Sequence, residues 1–168
     1  MRLNGVDVIV IGERDGVQGD SIVKCLEDAG ANVGMEFTSC FVWTAAGALD
    51  LDGQQSIKDC GEQLGTTNLI AVLGTPTTES SEMIATTITE GDPTWAGPLA
   101  GSGLNIPVYH ILDPEIKSQI SPDLYEEEIG LFEIVTEESD TILSSLAKIR
   151  DGISTTAWYG SRTPVNQL

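Results

Sequence analysis

With 168 residues, 40% hydrophobic content and 18 glycines, the chain has enough material for one domain with a proper core and is too apolar for intrinsic disorder. A formal net charge of −18, from 26 acidic against 8 basic residues, argues against nucleic-acid phosphate or an anionic membrane as partner. No apolar run is long enough to span a bilayer and the N-terminus lacks the basic and apolar regions of a signal peptide, so a cytoplasmic protein is expected.

The elements follow in order. Val6–Ile11, apolar and β-branched between Gly5 and Gly12, predicts a strand buried in a parallel sheet. Asp20 is expected to cap a helix running to Ala29, with Gly30 as its stop. Asn32–Phe37 predicts a second strand leading into a turn at Cys40. Gln54–Leu64 reads as a helix ending at Gly65, and Asn68–Leu73 as a third strand followed by Gly-Thr-Pro. Ser80–Thr89 predicts a helix with Ser81 and Glu82 near its positive end. Gly91–Asn105 is rich in glycine and proline, and so long an ordered connection is more often functional than idle. Pro107–Ile111 predicts a fourth strand; Pro114–Ile120 and Pro122–Glu128 predict short helices opened by proline. Ser139–Arg150 gathers Ile142, Leu143, Leu146 and Ile149 on one helical face. Residues 1–150 thus form one domain, and 151–168 a tail expected to be mobile or a docking arm for a partner.

Alternating strands and helices predict an α/β protein, a three-layer, open, mainly parallel sheet, flavodoxin-like in style. In such a sheet the loops leaving the carboxyl ends of the strands carry function. These are Gly12–Gly19, Cys40–Gly47, Gly74–Glu79 and Ile111–Glu115, expected to converge on one edge.

Candidate residues gather in those loops and in the long connection. Gly12–Gly19 fits neither the dinucleotide fingerprint nor the P-loop. It is either a tight turn or an anion cradle formed by a helix N-terminus with Arg14, although a salt bridge to Asp15 or a neighbour accounts for Arg14 equally. Asp92 and Thr94 open a Gly/Pro loop as turn residues or as the base of a lid, and Trp95 is a core anchor or part of that cover. His110, the one histidine, is a packed, hydrogen-bonded residue or a base. Cys25, Cys40 and Cys60 show no disulfide framework or metal-site spacing, and in a cytosolic chain they are expected to be reduced. Cys25 and Cys60 lie in helical segments and read as buried small hydrophobes. Cys40 ends an extended segment, three residues before Trp43. A cysteine and a second chalcogen at that spacing, at a strand-to-helix turn, make a redox dyad, but an indole does none of that chemistry. The UGA codon, however, is read as tryptophan or as selenocysteine according to context.

Cys40-Phe41-Val42-Trp43-Thr44-Ala45-Ala46-Gly47 resembles the Cys-x-x-selenocysteine motif, followed by Thr-Ala-Ala-Gly, of the selenoprotein A family. These are the small acidic components of the glycine, sarcosine and betaine reductase complexes. Further motifs match in the same order: Gly12-Glu13-Arg14-Asp15-Gly16-Val17-Gln18-Gly19; Gly91 to Gly101, with Trp95 where the family has phenylalanine; Val108-Tyr109-His110; and Glu128-Ile129-Gly130. The similarity runs from about Val6 to Arg150 and leaves 151–168 unmatched.

The resemblance implies a carrier between two larger enzymes. Protein B holds the amino substrate on a pyruvoyl group, or binds betaine without one. A selenolate at position 43 takes a carboxymethyl group from it, protein C draws off the acetyl unit as acetyl phosphate, and the selenium–sulfur bond left to Cys40 is reduced by thioredoxin. Cys40 is then the resolving thiol, and selenium enters as selenocysteine with no separately bound cofactor. Backbone amides from Thr44 onward are expected to stabilise the selenolate, and Arg14, Thr44, Asp92 and His110 are candidate anion or lid contacts. A chain truly carrying Trp43 is expected to be inactive, so Trp43 is a stand-in for selenocysteine or the mark of an inactive copy. Two alternatives stay open: a flavodoxin-like module binding an anion or flavin, and a non-catalytic scaffold of the complex.

Overall fold

The sheet follows from strands apolar enough to be covered on both faces. In a computed structural model, which describes residues 1–40, 47–101 and 103–160 (side chains to Ile153), β1 (Asp7–Glu13), β2 (Asn32–Ser39), β3 (Leu69–Leu73) and β4 (Val108–His110) stand in the order β2-β1-β3-β4. Every neighbouring pair is parallel. β3 is buried throughout and β1 from Val8 onward, whereas β2, at the edge, alternates between exposed and half-buried residues until Ser39.

Alternation along β1 divides the core between two layers. Val8 and Val10 join Ile22 and Leu26 of α1 (Gly19–Asp28) and, further on, Ile116, Tyr125 and Ile129. Ile9 and Ile11 face the other way, towards Ile57 of α2 (Leu51–Leu64), Ile84 and Ile88 of α3 (Thr78–Thr89), and Ile142 and Leu146 of α7 (Ser139–Gly160). The result is the expected three-layer α/β fold with an all-parallel sheet.

Several helix ends differ from expectation, each for a local reason. α1 begins at Gly19 with Gln18 as its cap. Asp20 therefore sits inside the first turn, where its carboxylate accepts from the Ser21 amide at 2.9 Å. α2 opens before Gln54 because Asp50 caps it, accepting from the Gly53 amide at 2.8 Å. α3 opens at Thr78 because the Thr77 hydroxyl accepts from the Ser80 amide at 3.2 Å. β2 runs past Phe37 because Thr38 and Ser39 continue the ladder against Gly12 and Glu13. After β4, Asp113 caps α4 (Pro114–Lys117). A continuous helical run then passes through α5 (Pro122–Tyr125), a π turn (Glu126–Gly130) and α6 (Leu131–Val135). The Glu128-Ile129-Gly130 motif lies in that π turn. The last helix does not stop at Arg150 but continues to Gly160. Arg150 ties α7 to the sheet, donating to the Val108 carbonyl at 2.8 Å and to Asp113 at 3.2 Å. Among the described residues, no helix is long and apolar enough to cross a membrane.

Candidate functional site

Cys40 emerges half-exposed at the carboxyl end of β2. It borders a cleft of about 360 Å³ between that edge strand and the start of α2, whose lining includes Met35, Phe37, Ser39, Asp50 and Gly53. Phe41–Ala46, and with them Trp43 and Thr44, lie outside the described residues. Both flanks of that segment are held. Upstream, the Arg14 amide donates to the Ser39 carbonyl at 2.9 Å. Downstream, Gly47 takes a φ of 92°, Ala48 and Leu49 are buried, and Asp50 caps α2.

The downstream flank and the Gly91–Gly101 loop are joined by Gln54, a residue that sequence reasoning passed over. Its amide nitrogen donates to the Leu49 carbonyl at 2.7 Å and to Asp92 Oδ2 at 3.1 Å, and its Oε1 accepts from the Leu99 amide at 3.2 Å. Asp92, 2% exposed, organises the loop around itself. Oδ1 accepts from the Thr94 amide and hydroxyl, each at 2.7 Å, and Oδ2 accepts from the Gly97 amide at 2.7 Å. Burial pushes the Asp92 carboxyl up, but hydrogen bonds from Thr94, Gln54 and Gly97 outweigh it and hold the group below its ordinary value. Asp92 is therefore an ionised structural centre. The loop it organises reaches the residue that follows Phe41–Ala46: a Cβ at Gly47 would lie 3.8 Å from the Thr94 methyl.

Trp95 is not a core anchor. It is 75% exposed and sits at φ 58°, a left-handed conformation that costs a bulky residue about 1–3 kcal/mol. The Asp92 network holds it there, the Trp95 amide donating to the Asp92 carbonyl at 3.2 Å.

His110 lies in the interior, 0% exposed. The Leu112 amide donates to Nδ1 at 3.1 Å, so Nε2 carries the proton and donates to the Thr75 carbonyl at 2.9 Å. Burial drives the ring pKa down to about 4, against the Thr75 hydrogen bond that raises it. With both nitrogens engaged, this is the packed, hydrogen-bonded histidine of the two sequence readings. The Arg14 side chain is exposed and forms no ion pair among the described residues. Three amides of its loop are already engaged: Gly16 donates to the Glu13 carbonyl at 3.0 Å, Val17 to the Gly74 carbonyl at 2.8 Å and Gly19 to Thr38 Oγ1 at 2.9 Å. A Cβ on Gly16 would overlap the Gly74 oxygen, which is why the backbone needs glycine there.

Cys25 and Cys60 are buried. Burial pushes the Cys25 thiol up to about 11 and raises that of Cys60 as well, so neither is a ready nucleophile at neutral pH. Glu13 is a second residue missed from sequence. It is 2% exposed, and its Oε2 has no hydrogen-bond partner among the described residues. Burial raises its carboxyl pKa, a Ser80 hydrogen bond opposes that and Asp15 adds to it. It stands in register with Ser39, whose hydroxyl is likewise unpartnered among the described residues.

Comparison with known proteins bears on the same segments. Residues 3–150 match the family described as glycine reductase complex selenoprotein A. The chain is similar to "Glycine/sarcosine/betaine reductase complex component A" of Gottschalkia purinilytica, 45% identical over 89% of this chain and 99% of that protein. The protein of the same description from Carboxydothermus hydrogenoformans is 46% identical over 88% and 94%, and that from Treponema denticola 47% over 86% and 91%. No solved structure matches.

Proposed function

Since the chain belongs to the selenoprotein A family of the glycine reductase complex, we propose that it is the carrier component of a glycine, sarcosine or betaine reductase, and that position 43 natively holds selenocysteine. The observation that carries this reading is the placement of Cys40. It is the half-exposed cysteine of the three, at the carboxyl edge of a parallel sheet, three residues before Trp43.

Selenium suits the place because a selenol ionises more readily than a thiol and stays nucleophilic at neutral pH. The selenolate attacks the substrate α-carbon on protein B and expels the amine, leaving a carbon–selenium bond. At protein C that bond breaks. Cys40 sulfur bonds to selenium and releases its proton, the carbon–selenium electron pair and a proton turn the methylene into methyl, and the carboxyl condenses with phosphate, losing water, to give acetyl phosphate. A thioredoxin dithiol then reduces the selenium–sulfur bond and is itself oxidised to a disulfide. The chain's part is to hold the dyad on fixed flanks: β2 and the Arg14–Ser39 bond before it, and Leu49, Gln54 and Asp92 after it. No separately bound cofactor enters, and the working compartment is the cytoplasm.

One observation favours the scaffold reading, namely Trp43 itself, since an indole cannot carry the group. The flavin reading has less support: the loops after β1 and β3, where the strand order reverses and a doubly wound sheet binds its ligand, pack directly on each other at Gly16 and Gly74. The deciding experiment restores selenocysteine at 43 and supplies proteins B and C, thioredoxin, phosphate and each of the three substrates. Acetyl phosphate with one of them supports the carrier; none with any, while another family member turns over, refutes it.

A further inference from the structure

Trp95 contradicts three tendencies at once. A tryptophan usually buries most of its surface, yet this one is 75% exposed. Bulky residues avoid positive φ, yet this one sits at 58°. Exposed loop tips are usually mobile, yet here the backbone is fixed on both sides by the Asp92 carboxylate, through Thr94 and Gly97. The indole is also supported from behind. Gly101, at φ 67°, lies so close that a Cβ there would meet Trp95 Cζ3 at 3.0 Å. A strained, propped and exposed aromatic ring is pre-organised for insertion into something else.

Its position says into what. The neighbouring Thr94 approaches Gly47, the first described residue after the reactive segment. A partner seated on the indole is thereby brought to that segment. The two loops themselves carry acidic charge: no lysine or arginine occurs between Lys58 and Lys117, whereas Asp50, Asp52 and Glu90 flank them, and the exposed Arg14 stands at the other flank of the segment, beside Ser39.

We propose that Trp95 is the anchor by which this chain docks on a companion enzyme of the reductase, its indole entering an apolar pocket rimmed by lysine and arginine. Aromatic anchors of this kind carry most of the binding free energy of an interface, and the acidic surround supplies steering towards a basic rim. The inference rests on the carrier reading above.

Calorimetric titration of the full chain, as it stands with Trp43, against purified protein B and separately against purified protein C tests it. Trp95→Ala should weaken binding to at least one of them by about tenfold or more, while Trp95→Phe keeps most of it. Raising the salt should weaken the wild-type complex. Melting temperature and the rate of Cys40 alkylation should be unchanged in Trp95→Ala. In the selenocysteine form, the carrier concentration for half-maximal rate should rise while kcat is kept. If wild type binds and Trp95→Ala binds equally well, this inference falls and the carrier reading stands. If wild type binds neither enzyme, this inference falls, and turnover of the selenocysteine form decides the carrier reading separately. Self-association abolished by Trp95→Ala would assign the indole to a second copy and overturn the proposal. Faster Cys40 alkylation with unchanged binding would make it a cover over the chain's own segment, which overturns it too.

Discussion

The Gln54 amide nitrogen stands 3.1 Å from Asp92 Oδ2 and 2.7 Å from the Leu49 carbonyl, so one buried side chain holds together the Gly91–Gly101 loop and the Ala48–Asp50 turn that precedes α2. Asp92→Ala should cost about 2–3 kcal/mol in urea unfolding, since hydrogen bonds to a charged group are lost and their donors left buried. Gln54→Ala should cost about 1–3 kcal/mol. In both variants, amide exchange at Gly97 and Leu99 should accelerate more than exchange in β3. Uniform acceleration throughout the chain would contradict a local tie.

Acid stability should follow His110. Its ring is neutral in the fold, with a pKa of about 4 against an ordinary 6.5, so between those values the unfolded chain binds the extra proton. Stability is then full above about pH 6.5 and falls as pH drops towards 4, by about 3 kcal/mol in all. Asp92, depressed below its ordinary value of 3.8, adds a further loss only at lower pH. Between pH 7 and 4, wild type should lose more of its urea midpoint than His110→Asn does, Glu13 acting equally in both; the variant starts lower because a buried hydrogen bond is disturbed. Parallel profiles would contradict the assignment.

Glu13 has the opposite sign. Its raised carboxyl pKa means that ionisation opposes folding as pH rises through the folded value. Glu13→Gln should therefore be more stable than wild type at pH 7, with the gain vanishing below about pH 4, where the carboxyl is protonated in both states. A constant difference at every pH would show that packing, not charge, decides.

Thiol chemistry separates the three cysteines. At pH 7, iodoacetamide should modify Cys40 in the native chain and leave Cys25 and Cys60 untouched, because both are buried with raised thiol pKa values. In denaturant all three should react, and peptide mass spectrometry assigns each. Native labelling of Cys60 at a comparable rate would refute the packing around α2.

What was legible in the sequence was what repeats. β1 and β3 show as apolar runs because both faces are covered, and the alternation of strand and helix yields the layers directly. The Cys40 and Gly91–Gly101 segments stand out through motif order. Pairing across distance leaves no such trace. Gln54 reads as one polar residue in a helix, and only folding brings it to Asp92. Glu13 passes unremarked inside the Gly12–Gly19 motif until Ser39 is set beside it in register. Trp95 reads as a core anchor or as part of a cover, because tryptophan usually buries most of its surface, and its φ belongs to the loop that Asp92 shapes. The caps at Asp50 and Thr77 precede the first apolar turn, so the periodic signal starts late. The helix past Arg150 carries no clear apolar face to announce it.

The central claim is that sulfur at 40 and selenium at 43 act as a pair that accepts a two-carbon group and then releases it. Selenocysteine is placed at 43 in the full chain, the carrier is reduced and mixed with protein B and substrate without protein C, and the peptide spanning 40–47 is weighed by mass spectrometry. The account predicts one carboxymethyl group on that peptide, at position 43, with Cys40 still free to be alkylated. Protein C and phosphate should then remove it and leave a selenium–sulfur bond in its place. A peptide that stays unmodified, while another family member gains the group in the same mixture, would contradict the account.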